Sequence, residues 1–122
     1  MYRLIAVILL FGLLFSATTY SKGPAKPIKG RVASFTDIVV MGGDGTVDKA
    51  RAIELADKGQ PIVFVVGTGK SAKIYFVFNE DGTYGGKNLA KYANNKFVGI
   101  IGKTKKVNGI NIIIATMIES MD

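Results

Sequence analysis

The sequence predicts a small, mainly β (or α+β) domain: an OB-like five-stranded barrel with one inserted helix and one short helix. Three observations carry this. Beyond residue 27 the patterns run strand, helix, strand, strand, short helix, strand, strand. The short helix falls between the third and fourth strands, where a partly open Greek-key barrel of the OB type has one. Gly99 and Gly102 lie inside the fourth strand, and interior glycines supply the coiling that closure of a small barrel needs. The alternative is an α+β sandwich, with both helices on one face of an antiparallel sheet.

The 122 residues suffice for one domain. Met1-Tyr2-Arg3, an apolar run over residues 4–15 and the exit SATTYS are the parts of a secretory signal peptide. The run is shorter than the roughly 20 residues that span a bilayer, so cleavage is expected. The membrane is engaged only through this segment, if it stays uncleaved. Residues 1–21 are assigned to the signal; Thr19 and Ser21 suit a cut at Lys22, and Ala17 allows an earlier one. A lipoprotein anchor is excluded because no cysteine follows. Residues 22–29, KGPAKPIK, form a flexible lead-in, and residues 30–122 form the domain. Export to the periplasm or the cell exterior is the expected location.

Residues 28–41, IKGRVASFTDIVVM, alternate up to Val32, lose the alternation at 33–35 and resume as Ile38-Val39-Val40. That predicts one long bent strand with a bulge, or two short strands. Gly42, Gly43 and Gly45 then surround Asp44, and Asp44 or Thr46 is the expected cap of the helix that follows. Asp48 in its first turn and Lys58 in its last suit the helix dipole. Val47, Ala50, Ile53, Leu55 and Ala56 make its apolar stripe, and Gly59 and Pro61 end it. Residues 62–66 are a β-branched and aromatic run, the pattern of a strand buried on both sides. A turn at 67–71 leads into strand 72–79, with Ile74, Phe76 and Phe78 on one face, and Asn79-Glu80-Asp81-Gly82 is the next turn. The short helix covers 87–94, with Leu89 and Tyr92 inward, and the fourth strand covers 96–104. Asn108-Gly109 signals a hairpin, after which Ile110, Ile112, Ile114, Thr116 and Ile118 line one face, with Asn111 and Met117 on the other.

Histidine and cysteine are both absent, which removes the usual general base near neutral pH, the commonest metal ligand and any disulfide. Catalysis would rest on carboxylate, lysine or tyrosine alone, and Asp37, Asp44 and Asp48 make no recognisable acid/base pair. No catalytic residue, metal site or cofactor is expected. Gly67-Thr68-Gly69-Lys70-Ser71 has the ending of a phosphate-binding loop, but Phe64 stands at the first glycine position and a strand follows instead of a helix. The turns at Asp44 and Asn79 resemble calcium loops only in composition. Their sixth and twelfth positions are Lys49 and Leu55 in one, Tyr84 and Ala90 in the other.

What remains is charge. Of the net +7, Arg3 contributes one, leaving +6 after the signal, an excess that favours polyanionic partners. Lys103, Lys105 and Lys106, placed in the turn between the last two strands, and Lys70 and Lys73 in another turn are the candidate binding cations. Tyr84, with Tyr75 and Tyr92, is the candidate stacking aromatic. The competing reading makes these lysines solvated loop residues that keep the domain soluble.

Gly30-Arg31-Val32, the glycines at 42–45, the helix text Ala50-Arg51-Ala52-Ile53-Glu54-Leu55 with Gly59 and Pro61, Asp81-Gly82, and the segment 99–102 together resemble a group of small exported bacterial OB-fold-like proteins of uncharacterised function. In that pattern the helix reads A-C-A-x-x-C-x-x-x-G-x-P. The resemblance implies the scaffold. The two cysteine positions hold Arg51 and Leu55 here, so no metal, haem or redox role is carried over. The expected function is an exported, non-catalytic binding domain for a polyanionic ligand or an envelope protein partner. Its alternative is a structural or accessory subunit of an envelope complex, using an exposed sheet edge, and an enzyme of unknown class comes third.

Overall fold

A computed structural model of the chain describes residues 26–122. The expected signal peptide, its expected cut at Lys22 and the start of the expected lead-in lie outside the described residues. The elements are β1 (Ile28–Ser34), α1 (Phe35–Met41), α2 (Lys49–Asp57), β2 (Ile62–Val66), a 3₁₀ turn at Gly69–Ser71, β3 (Lys73–Asn79), α3 (Gly86–Ala90), β4 (Val98–Val107) and β5 (Ile110–Ser120). The five strands close into a ring in the order β1-β2-β3-β5-β4. β3 and β5 run parallel, and the other neighbours are antiparallel. This mixed, closed, OB-like ring replaces the antiparallel sandwich that was the alternative.

Inside the ring, Ile62, Phe64, Val77, Val98, Ile100 and Ile113 are fully buried, and Leu89 of α3 joins them. A second, smaller cluster lies outside the ring. There Ala33, Val63 and Val65 are buried beneath Phe35 and Ile38 of α1, with Ile74 and Phe76 beside them. β2 is thus apolar on both faces because both are covered, as its uninterrupted pattern requires.

Residues 35–41 correct the expected second strand: they form a helix. Fully buried Ser34 accepts the Asp37 N–H on its Oγ at 3.2 Å, and Gly42, at φ 72°, ends the element. Phe35 and Ile38, three residues apart, share the inward face, while Val39, Val40 and Met41 are 67%, 75% and 72% exposed. The β-branched text favours a strand locally, and burial of the helical face overrides that preference.

α2 is also capped differently from the expectation. Asp48 accepts the Arg51 N–H on Oδ1 at 2.8 Å. Asp44 instead closes its own turn, accepting the N–H and hydroxyl of Thr46 at 3.0 and 2.7 Å, and Asp81 treats Thr83 in the same way at 3.0 and 2.6 Å. In the stripe, Ala50 is exposed and Ala52 is buried with Leu55 and Ala56. The two positions that match cysteines in the resembling pattern have structural work of another kind. Arg51 pairs with Asp37 at 2.9 Å, tying α2 to α1, and Leu55 packs in the core.

β5 carries a phase change that alternation alone conceals. Ile101 is opposite Met117, but Gly102 is opposite Ala115, so Thr116 is an extra, bulged residue. Its hydroxyl donates to the Ile101 carbonyl at 3.0 Å. Before the bulge Ile113 and Ala115 face the core and Ile112 and Ile114 face outward; beyond it Ile118 packs inward. Gly102 sits where a Cβ would meet the Ile114 carbonyl oxygen, so only glycine fits this crossing.

Candidate ligand-binding face

Residues paired directly across a sheet share a face. The register therefore lays out the outer surface in transverse rows. One row runs Lys103, Ile114, Phe78, Tyr84, and the next runs Lys105, Ile112, Phe76. Phe35 of α1 stacks against Phe76 with ring centroids 5.2 Å apart, so α1 covers the β2–β3 part of this surface. That part is where OB folds bind oligonucleotides and oligosaccharides, and here the protein's own helix occupies it.

What stays open is the β3–β5–β4 side. Phe78, Ile112 and Ile114 floor a groove of about 240 Å³, with Lys105 and Val107 on one wall and Glu80 on another. A second hollow of about 390 Å³ adjoins it, sharing Glu80 and Ile114 and bounded by Lys103, Ile101 and Thr116. Together they make an apolar trough with two lysines along its β4 rim. Lys103 and Lys105 are exposed and form no ion pair among the described residues. By contrast Lys58 is paired with Glu54 at 2.9 Å, and the Lys29 ammonium lies 4.0 Å from the centre of the Phe97 ring. Residues 59–118 hold eight lysines against two acids, Glu80 and Asp81.

The six candidate residues divide. Lys103, Lys105 and Tyr84 come to one face. Lys106 shares the opposite face of β4 with Thr104, opposite Asn111 and Ile113, while Lys70 and Lys73 lie at the β2–β3 connection. The three β4 lysines sit in an extended strand and not in the turn where the sequence placed them, because β4 continues to Val107 and the turn is only Asn108-Gly109. Asn108, at φ 50°, and Gly109, at φ 85°, have the left-handed conformations of a two-residue hairpin loop. The Gly67–Ser71 segment joins two antiparallel strands, a hairpin connection and no phosphate loop.

Tyr84 is anchored. Its hydroxyl donates to the Ile62 carbonyl at 2.7 Å, and its ring meets Phe78 edge-on at 5.4 Å. Burial pushes the phenol up to about 12, so it stays protonated over the physiological range. It is a wall of the face more than a free platform. Tyr75 and Tyr92 pack against the core, and Tyr92 donates to the Ile118 carbonyl at 3.2 Å. Sequence reasoning missed Phe78, Ile112, Ile114 and Glu80 as members of the site. Even-numbered alternation along β3 and β5 hinted at a shared apolar face, but only the parallel β3–β5 pairing joins the two strands' faces into one surface.

Among the described residues no group of three or more acidic side chains could hold a metal ion. No protein-family model matches the chain, and no curated protein and no solved structure matches it either.

Proposed function

We propose that the chain is an exported, non-catalytic binding domain that takes an anionic macromolecular partner on the lysine-rimmed β3–β5–β4 face. It is a scaffold of the small exported bacterial OB-fold-like kind, working in the periplasm or outside the cell. The observation that carries the reading is the pair Lys103 and Lys105, two residues apart on one strand face, exposed and free of internal counter-charges among the described residues, beside an apolar trough. The lack of histidine and cysteine supports binding over catalysis. Lysines held at alternate positions of a rigid strand present a fixed linear spacing of charge, which suits an extended anion better than a compact one.

Titration of the purified protein with an acidic polymer such as heparin, at increasing salt, tests this. Affinity should fall at least tenfold between 50 and 200 mM salt, and the double substitution Lys103→Gln/Lys105→Gln should weaken binding about tenfold at low salt, about 0.7 kcal/mol per rim charge. Glu80→Gln, which removes the one acid at the trough, should strengthen it. A salt-independent affinity, or none, would refute the proposal.

A further inference from the structure

Among the described residues, the strand that carries those lysines has one edge without a ladder partner over most of its length. β4 pairs with β1 only over Val98–Ile100; the same register would next set Pro27 against Ile101, and proline has no N–H to continue a ladder. From Ile101 to Val107, β5 is the sole ladder partner of β4 among the described residues. This leaves seven residues of strand, free of proline and exposed from Lys103 onward, with outward N–H and C=O groups on one side.

Resting on the binding reading above, we propose that this edge accepts an extended acidic segment of a partner protein as a sixth strand. Seven residues match an ordinary strand, long enough for backbone pairing to supply affinity. Charge decides what can pair. Lys103 and Lys105 project on the outer face and Lys106 on the opposite one, so a strand laid alongside meets ammonium groups on both of its faces. Directly opposed side chains lie about 5 Å apart, and like charges there are destabilising. A second copy of this chain pairing β4 to β4 antiparallel would set these lysines against their own kind, so the edge rejects self-association. A partner with carboxylates at positions i and i+2, facing Lys103 and Lys105, and a third on its other face near Lys106 turns each repulsion into an attraction. Nucleic acid fits less well. Phe76 is stacked under Phe35, and Tyr84 meets Phe78 edge-on, so the open face offers one crossed aromatic pair and no run of parallel platforms for successive bases.

The experiment compares three probes of equal charge with the purified protein: a ten-residue peptide alternating glutamate with valine or threonine, its isomer with the glutamates clustered at one end, and a single-stranded oligothymidine. The alternating peptide should bind at least tenfold tighter than its isomer and than the oligonucleotide, and should slow hydrogen exchange of alternate amides in residues 101–107. The substitution Lys103→Glu/Lys105→Glu should abolish that binding and create affinity for the lysine counterpart of the peptide. Equal affinity for the two peptide isomers, or tighter binding of the oligonucleotide, overturns the added strand while leaving the anion-binding reading intact. Salt-insensitive or absent binding of all three overturns both.

Discussion

Gly102 and Tyr84 show how much of this molecule turns on single atoms. Any side chain at 102 drives a carbon into the Ile114 carbonyl, at the one place where β5 changes phase. Gly102→Ala should therefore cost about 1–3 kcal/mol, as overpacking does elsewhere, read as a lower urea midpoint. Tyr84 acts through a hydroxyl. Tyr84→Phe keeps the ring against Phe78 and leaves the Ile62 carbonyl without that donor, a loss of about 1 kcal/mol. It also has a pH signature. The phenol is raised from about 10 to about 12 in the fold, which favours the neutral form. Its contribution is complete below pH 10, the unfolded value, and is lost as pH rises from 10 through 12. Melting temperatures of wild type and Tyr84→Phe should converge across that window; a constant gap would show that the phenol does not titrate with folding.

At the level of elements, α1 is the part whose local text and final form disagree. Its seven residues are mostly β-formers, and it is a helix because Ser34 caps it and because Phe35 and Ile38 cover the β2–β3 surface. Val39, Val40 and Met41 contribute nothing to that contact. Val40→Ala should then stabilise by a few tenths of a kcal/mol through helix propensity alone, measured by thermal unfolding. Destabilisation by more than 1 kcal/mol would mean that the exposed side of α1 is buried against something. α2, by contrast, was legible: its glycine-rich approach, apolar stripe and Gly59-Pro61 stop are all local. Its cap was misplaced by a few residues because Asp44 and Asp48 are chemically equivalent, and the turn at Gly45 decides which of them meets the helix.

For the whole molecule, the closed ring concentrates protection in its middle. Amides of Val63, Phe64, Val77 and Ile113, in strands whose side chains are fully buried, should exchange most slowly, near the rate set by global unfolding. Outward amides of Lys103 to Val107, which among the described residues have a neighbour strand on one side only, should exchange faster by orders of magnitude. Hydrogen exchange by NMR resolves the two sets, and equal protection would mean that the β4 edge is covered. The same asymmetry explains the lysines. A ring made from ten- and eleven-residue strands β4 and β5 and shorter partners leaves an overhang, and charge on that overhang keeps it from pairing with itself.

The residues alone determined the elements built from local chemistry: the Asn108-Gly109 hairpin, the α2 boundaries near Gly59, the doubly buried β2 and the short helix between the third and fourth strands. They also set the charge surplus, since composition is independent of fold. Tertiary structure alone decided the helical state of 35–41, the side of the sheet on which Ile112 and Ile114 lie, and the placing of Lys103 and Lys105 beside Phe78. The reason is common to all three. Each depends on partners far away in sequence: the β2–β3 surface beneath α1, the one-residue bulge at Thr116, and the parallel β3–β5 pairing. Alternation has a period of two, so a single inserted residue reverses every side chain beyond it.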